Sequence, residues 1–376
     1  MKLFSSNDWK GLKEFQKLDI EKKRIVFYAE NKASINHFRE LINELTYVRK
    51  KEICYVTSVE NDPFCNEVNE NISYFFIGNG IARTKFFLTL NSKVLILDMP
   101  DLERFHIKRS KTYNVHYIYI FHSMFSTHTY LRHGALDDFD TIFCVGPYQI
   151  NEILKTEKMY NLKSKKLVEY GFGRLDFLLK NREENKMNPK KIIISPSYGE
   201  NNLLKTCGVE IIEKLLELNF TVILRPHFKT IKEDGKLIDK ILKKFDQDEH
   251  FIYKEGVIPT KDLEETKILI SDWSGISIEF AFVYERPIIF IDVPQKIQNK
   301  NFNSIEMEPF EISIRNQIGR VVKMDEIENL DKILSELNSN FKSNNIISIR
   351  DKSIFNIKKS YTVGADYIES IIDKIE

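Results

Sequence analysis

Ile268-Leu269-Ile270-Ser271-Asp272-Trp273-Ser274-Gly275-Ile276-Ser277-Ile278-Glu279-Phe280 passes from a short apolar run through small hydroxyl residues and one glycine into text of helical period. A brief β-branched run bounded by turn chemistry reads as a buried strand of a parallel sheet. The loop after it exposes backbone N–H groups and hydroxyls at a helix N-terminus, where the helix dipole favours an anion such as a diphosphate. Ser271, Asp272, Ser274 and Gly275 are therefore donor-site candidates. Glu279, about one turn into the helix, would reach a ribose hydroxyl or similar diol. The same residues also suit an ordinary N-cap by Ser271, Asp272 or Ser274 with a solvated Glu279. The segment alone leaves both readings open.

The same unit recurs on either side. Upstream, apolar runs at 24–28, 53–56, 74–77, 94–97, 116–121, 141–145 and 167–170 alternate with helical text, enough for one doubly wound sheet. The charged, Asn- and Pro-containing stretch between Phe177 and Lys191 is expected to be the linker. Further runs at 192–195, 221–224, 251–253, 268–270 and 288–291 begin a second sheet. At 376 residues the chain is long enough for two cores. The expected division is 1–183, 184–345 and a helical segment 346–376 that packs back toward the first domain. Functional residues should follow the apolar runs, because open α/β sheets bind ligands beyond the carboxyl ends of their strands.

Composition narrows the classes. With 42% hydrophobic and 30% charged residues the chain is globular, and a net charge of +1 gives no global field for nucleic acid. Cys54, Cys65, Cys144 and Cys207 form no CxxC pair and read as reduced packing residues. The N-terminus lacks the apolar core of a signal peptide, and no window approaches the roughly 18 apolar residues of a membrane span. A cytoplasmic protein is expected.

Two further clusters carry chemistry. Leu224-Arg225-Pro226-His227-Phe228-Lys229 follows a strand, so Arg225 and His227 could reach phosphate oxygens, although a lone histidine there is more often structural. Ile120-Phe121-His122-Ser123-Met124-Phe125-Ser126-Thr127-His128 emerges from another strand. His122 is the best general-base candidate, its alternative being a hydrogen-bonded core histidine. Ser123, Ser195 and the Gly171-Phe172-Gly173-Arg174-Leu175-Asp176 turn, with Gly171, Gly173 and Arg174, are cleft candidates. His122, His128 and His133 lack the spacing of a helical zinc motif, so no metal site is expected. Gly78-Asn79-Gly80-Ile81-Ala82-Arg83 puts arginine at the third glycine of a dinucleotide fingerprint and reads as a plain strand-to-helix turn. Asp98 and Asp101 read as solvated carboxylates. Lys163 to Lys166 reads either as a solvated face or as a patch for anionic lipid or acceptor phosphate.

Taken together, the His122 segment, Gly171 to Asp176, Arg225-Pro226-His227, Ser271 to Gly275 and Glu285-Arg286-Pro287-Ile288-Ile289-Phe290 resemble the CDP-glycerol glycerophosphotransferases, over about residues 115–294. That resemblance implies a GT-B fold, two Rossmann-like domains with parallel sheets facing a central cleft. It implies transfer of glycerol or ribitol phosphate from a CDP-linked donor to a hydroxyl acceptor, a lipid-linked glycan or polyol phosphate, in teichoic-acid or capsule synthesis. By the same resemblance His122 deprotonates the acceptor, His227 contacts the donor pyrophosphate, Ser271, Ser274 and Gly275 form the phosphate turn, and Arg225 adds charge. Metal-independent transfer without a cofactor is expected. So is peripheral contact with the inner face of the cytoplasmic membrane, through basic text such as Lys22-Lys23-Arg24. The chain departs from the family pattern at Ser123, at Gly275 and in an extended insert from Met124 to Asp140. The alternative is a GT-B glycosyltransferase with a CMP-, UDP- or GDP-sugar donor.

Overall fold

The structure, a computed structural model, describes residues 6–183, 187–256, 258–295 and 297–375. The chain forms two compact units. The first comprises 1–180, 299–307 and 353–376, and the second 181–298 and 308–352.

The first unit holds β1 (Ile25–Ala29), β2 (Ile53–Thr57), β3 (Ile72–Phe76), β4 (Val94–Leu97), β5 (His116–Ile120), β6 (Thr141–Cys144) and β7 (Lys166–Glu169). They lie in the order β3-β2-β1-β4-β5-β6-β7, all parallel. Every residue of β1, β2 and β4 is buried, as expected of strands covered on both faces. One face packs against the helix Ile35–Asn43 through Phe38, Leu41 and Ile42, and against the helix Ser360–Ile375 through Ala365, Ile368, Ile371 and Ile372. Each such side chain contributes about 1.5–3 kcal/mol of burial. The route to that helix is fixed by Asp176, whose carboxylate accepts from the Lys358 and Ser360 amides at 2.6 and 3.0 Å and from the Ser360 hydroxyl at 2.5 Å. Gly171 lies there at φ +106°, where a Cβ would sit 2.3 Å from the Phe355 carbonyl oxygen.

The second unit holds β8 (Asn188–Ile194), β9 (Thr221–Leu224), β10 (Phe251–Tyr253), β11 (Thr266–Ser271), β12 (Ile288–Ile291) and β13 (Gly319–Val322). Their order is β10-β9-β8-β11-β12-β13, again parallel. Its core joins Ile192, Ile194, Val222, Leu224, Ile268 and Ile270 to Ile211, Ile212 and Leu215 of the helix Gly208–Glu217.

The expected linker begins too early. A helix runs Gly173–Asn181, with Leu175, Leu178 and Leu179 buried, and β8 opens at Asn188. Those three leucines sit at i, i+3 and i+4 and make an apolar stripe that the following charged text obscures. The four cysteines are free thiols, three of them buried. No helix among the described residues is long and apolar enough to cross a membrane.

In each sheet the strand order reverses once, between β1 and β4 and between β8 and β11. These are the topological switch points where ligands of such sheets bind.

Candidate functional site

At the switch point of the first unit the register aligns Tyr28, Leu97 and Tyr119 across β1, β4 and β5. The residues that follow, Glu30, Asp98 and His122, therefore emerge at one edge. His122 Nδ1 lies 3.1 Å from the Asp98 carbonyl oxygen and Nε2 lies 2.8 Å from the Tyr130 hydroxyl. A carbonyl can only accept, so Nδ1 carries the proton and Nε2 is the basic nitrogen. Burial lowers the His122 pKa below the ordinary imidazole value, against a smaller raising effect of the Asp98 carbonyl. The ring is thus held neutral and able to take a proton.

His37, on the helix Ile35–Asn43, stands beside it with ring centroids 6.2 Å apart. Burial pushes its pKa well down, helped by the Arg174 charge and by the repulsion a second protonated ring at His122 would bring. Arg174 enters this neighbourhood from the helix Gly173–Asn181, and a Cβ at Gly173 would come within 3.2 Å of the His37 carbonyl oxygen. Gly173 thus brings that helix close to the histidines, whereas Gly171 serves the docking of the C-terminal segment. Ser123 turns the loop, its hydroxyl accepting from the Phe125 amide at 3.3 Å.

Asp98 corrects the reading of a solvated carboxylate. It is 3% exposed, accepts from the Ser34 hydroxyl at 3.0 Å, and burial lifts its pKa to about 7. Glu30 is likewise engaged, by Arg83 at 2.9 Å and His106 at 2.5 Å. The arginine at the third-glycine position of the Gly78 turn therefore has a partner at the end of β1. His128 is buried against the Met307 carbonyl at 3.1 Å and Glu152 at 3.5 Å, and His133 is exposed beside Tyr160. His37, Glu30, His106 and Tyr130 were not singled out in the sequence. Glu30 alone carried a usable signal, since it follows an apolar strand.

In the second unit Ser195, Arg225 and Ser271 share one edge, where Ser195 N–H donates to Ile270 O and Arg225 N–H to Ile194 O, each at 2.9 Å. His227 caps the helix Phe228–Glu233, its Nδ1 accepting from the Lys229 amide at 3.2 Å. The neutral ring therefore carries its proton on Nε2, a donor suited to a phosphate oxygen. It packs between the rings of Tyr198 and Phe228, each at 4.5 Å, and the Lys229 ammonium lies 4.3 Å over Tyr198. Arg225 is anchored by Nε to the Gly256 carbonyl at 2.6 Å.

The turn after β11 divides into two kinds of residue. Ser271 and Asp272 are buried; the Ser271 hydroxyl donates to Ser195 O at 2.6 Å. The Asp272 carboxylate accepts from the amides of Ser197, Trp273 and Leu203 at 2.6, 2.7 and 2.9 Å. These two side chains tie the loops after β8 and β11 together. An apolar strand ending in Ser-Asp looks alike in both roles, because two of the three amides that claim the carboxylate, those of Ser197 and Leu203, are over 60 residues away in sequence. Ser274 and Gly275 are half-buried at the start of the helix Ile276–Tyr284, which has no side-chain cap, and Glu279 is half-buried in its first turn. Ser195 is fully buried. Ser197, Tyr198, Trp273, Val293 and Gln295 line a small pocket beside this turn. Among the described residues no group of three or more His, Cys, Asp or Glu side chains is placed to hold a metal ion.

No curated protein matches the chain. Among solved structures, the wall teichoic acid polymerase TagF is similar over 99% of this chain and 95% of that one, at 12% identity and a TM-score of 0.60. The UDP-GlcNAc 2-epimerase of Methanocaldococcus jannaschii is similar over 92% and 99%, at 14% identity and 0.56. At such identities the likeness shows the fold, the two-Rossmann GT-B class. The family model described as CDP-Glycerol:Poly(glycerophosphate) glycerophosphotransferase matches residues 12–301, so the chain belongs to that family of transferases.

Proposed function

We propose that the protein transfers glycerol phosphate from CDP-glycerol to a hydroxyl acceptor of a surface polymer, releasing CMP. The observation that carries this reading is the family match across residues 12–301. The chemistry available in each unit is consistent with it. The first unit supplies the base: His122 takes the acceptor proton on Nε2 as the acceptor oxygen bonds to phosphorus. The second supplies donors for the diphosphate: the His227 Nε2–H, the Arg225 guanidinium, and the amides at Ser274 and Gly275, whose helix dipole opposes the charge on the departing CMP. Glu279, in the first turn of that helix, is suited to a hydroxyl of the donor. Such a reaction relies on positioning and charge neutralisation and needs no covalent enzyme intermediate.

Calorimetric titration tests the donor half. CDP-glycerol and CMP should bind, and His227→Ala should weaken both about tenfold or more, the loss of a charge-assisted hydrogen bond of roughly 1.5–3 kcal/mol. Preference for a UDP- or GDP-sugar over cytidine nucleotides would instead support a glycosyltransferase. We propose further that transfer is metal-independent, in which case excess EDTA leaves the rate unchanged; loss of activity restored by a divalent cation would overturn that.

A further inference from the structure

The insert between β5 and β6, where the chain departs from the family pattern, returns to the base. Its four-residue helix Thr127–Tyr130 ends on Tyr130, whose hydroxyl lies 2.8 Å from His122 Nε2. Because Nδ1 must donate to the Asp98 carbonyl, Nε2 has only a lone pair, and the phenol donates into it. The basic nitrogen is therefore already occupied. An acceptor hydroxyl must either displace Tyr130 or act through it.

The surroundings of Tyr130 favour the second course. Ser126, Thr127, His128 and Thr129 are all buried. The Thr127 amide and hydroxyl donate to Glu152 at 2.6 and 2.8 Å. Asn299 donates to the His128 carbonyl at 2.9 Å through its side chain and to the Thr129 carbonyl at 3.3 Å through its amide. The Tyr130 ring itself packs between His122 and Phe125, at 5.6 and 6.0 Å. Moving this turn aside would break a set of buried hydrogen bonds, each costly to leave unmade.

We infer that Tyr130 is a catalytic proton relay between the acceptor hydroxyl and His122. The inference rests on His122 being the base. As the acceptor O–H bond breaks, its proton passes to the phenol oxygen while the phenol's own proton passes to Nε2. The electron pair left on the acceptor oxygen forms the new P–O bond, and the bond from that phosphorus to the bridging oxygen breaks toward CMP. Tyrosine ends neutral, and His122 ends as the imidazolium that later returns its proton to water.

The test compares wild type, Tyr130→Phe and His122→Ala with CDP-glycerol and a hydroxyl acceptor. A relay predicts that Tyr130→Phe lowers kcat by about 100-fold or more with donor Kd and acceptor KM nearly unchanged. It also predicts a bowed dependence of the wild-type rate on the D2O fraction, since two protons move in one step. A Tyr130→Phe rate within about threefold of wild type, or a linear dependence on D2O fraction, overturns the relay. The second readout holds even if the variant folds poorly. An active wild type with an inactive His122→Ala and an active Tyr130→Phe removes the relay alone; a wild type that transfers nothing from CDP-glycerol removes the functional reading.

Discussion

At the scale of single residues, the two site histidines are specified by what their other nitrogen does. His122 gives Nδ1–H to a backbone carbonyl and becomes a base at Nε2, whereas His227 accepts at Nδ1 and becomes a donor at Nε2. Their replacement should therefore separate. His122→Ala should cut kcat by about 100-fold or more with little change in donor affinity, and His227→Ala should weaken donor binding; stopped turnover and calorimetry check the pair. The direction of the His122 shift sets a pH dependence. Burial lowers its pKa, so the neutral, active ring persists below the usual value of about 6.5. The acid limb of kcat/KM should accordingly fall below pH 6.5, and a limb at or above that value would contradict the burial argument. Asp98 acts oppositely on stability. Its pKa is raised to about 7, so the folded state binds the extra proton, and the stability it lends at low pH is lost as pH rises toward 7. Asp98→Asn should remove that dependence, raising Tm at pH 8 relative to wild type more than at pH 5.

At the scale of elements, the strand-turn-helix after β11 is held by a carboxylate that takes three amides from two loops. Asp272→Ala should cost about 2–4 kcal/mol by leaving those amides unpaired, with donor affinity falling alongside stability, unlike His227→Ala. Denaturant unfolding of both variants makes the comparison. The elements themselves were largely readable. All seven strands of the first sheet and five of the second announced themselves as apolar runs, most of them because strands buried on both faces carry little else, although β7 at the sheet edge is largely exposed. β13 was missed: Gly319-Arg320-Val321-Val322 opens on a glycine and carries a charge. The glycine belongs there because a Cβ would sit 2.0 Å from the Ile288 carbonyl oxygen. In the site, residues directly after strands were legible and those brought in by helices were not. His122 follows β5, but His37 and Tyr130 reach it from separate helices, and nothing local in their sequence marks them.

At the scale of the whole chain, two doubly wound sheets each offer one switch point, and the candidate base and phosphate-binding groups lie at those two edges. The C-terminal segment belongs to the first unit, where Ile368 and Ile372 enter its core. Ile368→Ala should destabilise that unit by about 2–5 kcal/mol, visible as faster amide exchange in β1 and β4; unchanged protection there would mean the helix is not part of the core. The proposed division of labour, with the base in one unit and the phosphate donors in the other, makes transfer, rather than binding alone, the decisive property. The most direct measurement is mass analysis of the product formed from CDP-glycerol and a hydroxyl acceptor, with CMP release followed in the same reaction. The expected result is a product enlarged by one glycerol phosphate, one CMP per transfer, and neither with His122→Ala. A product enlarged by a sugar without phosphorus, or equal CMP release by His122→Ala, would contradict it.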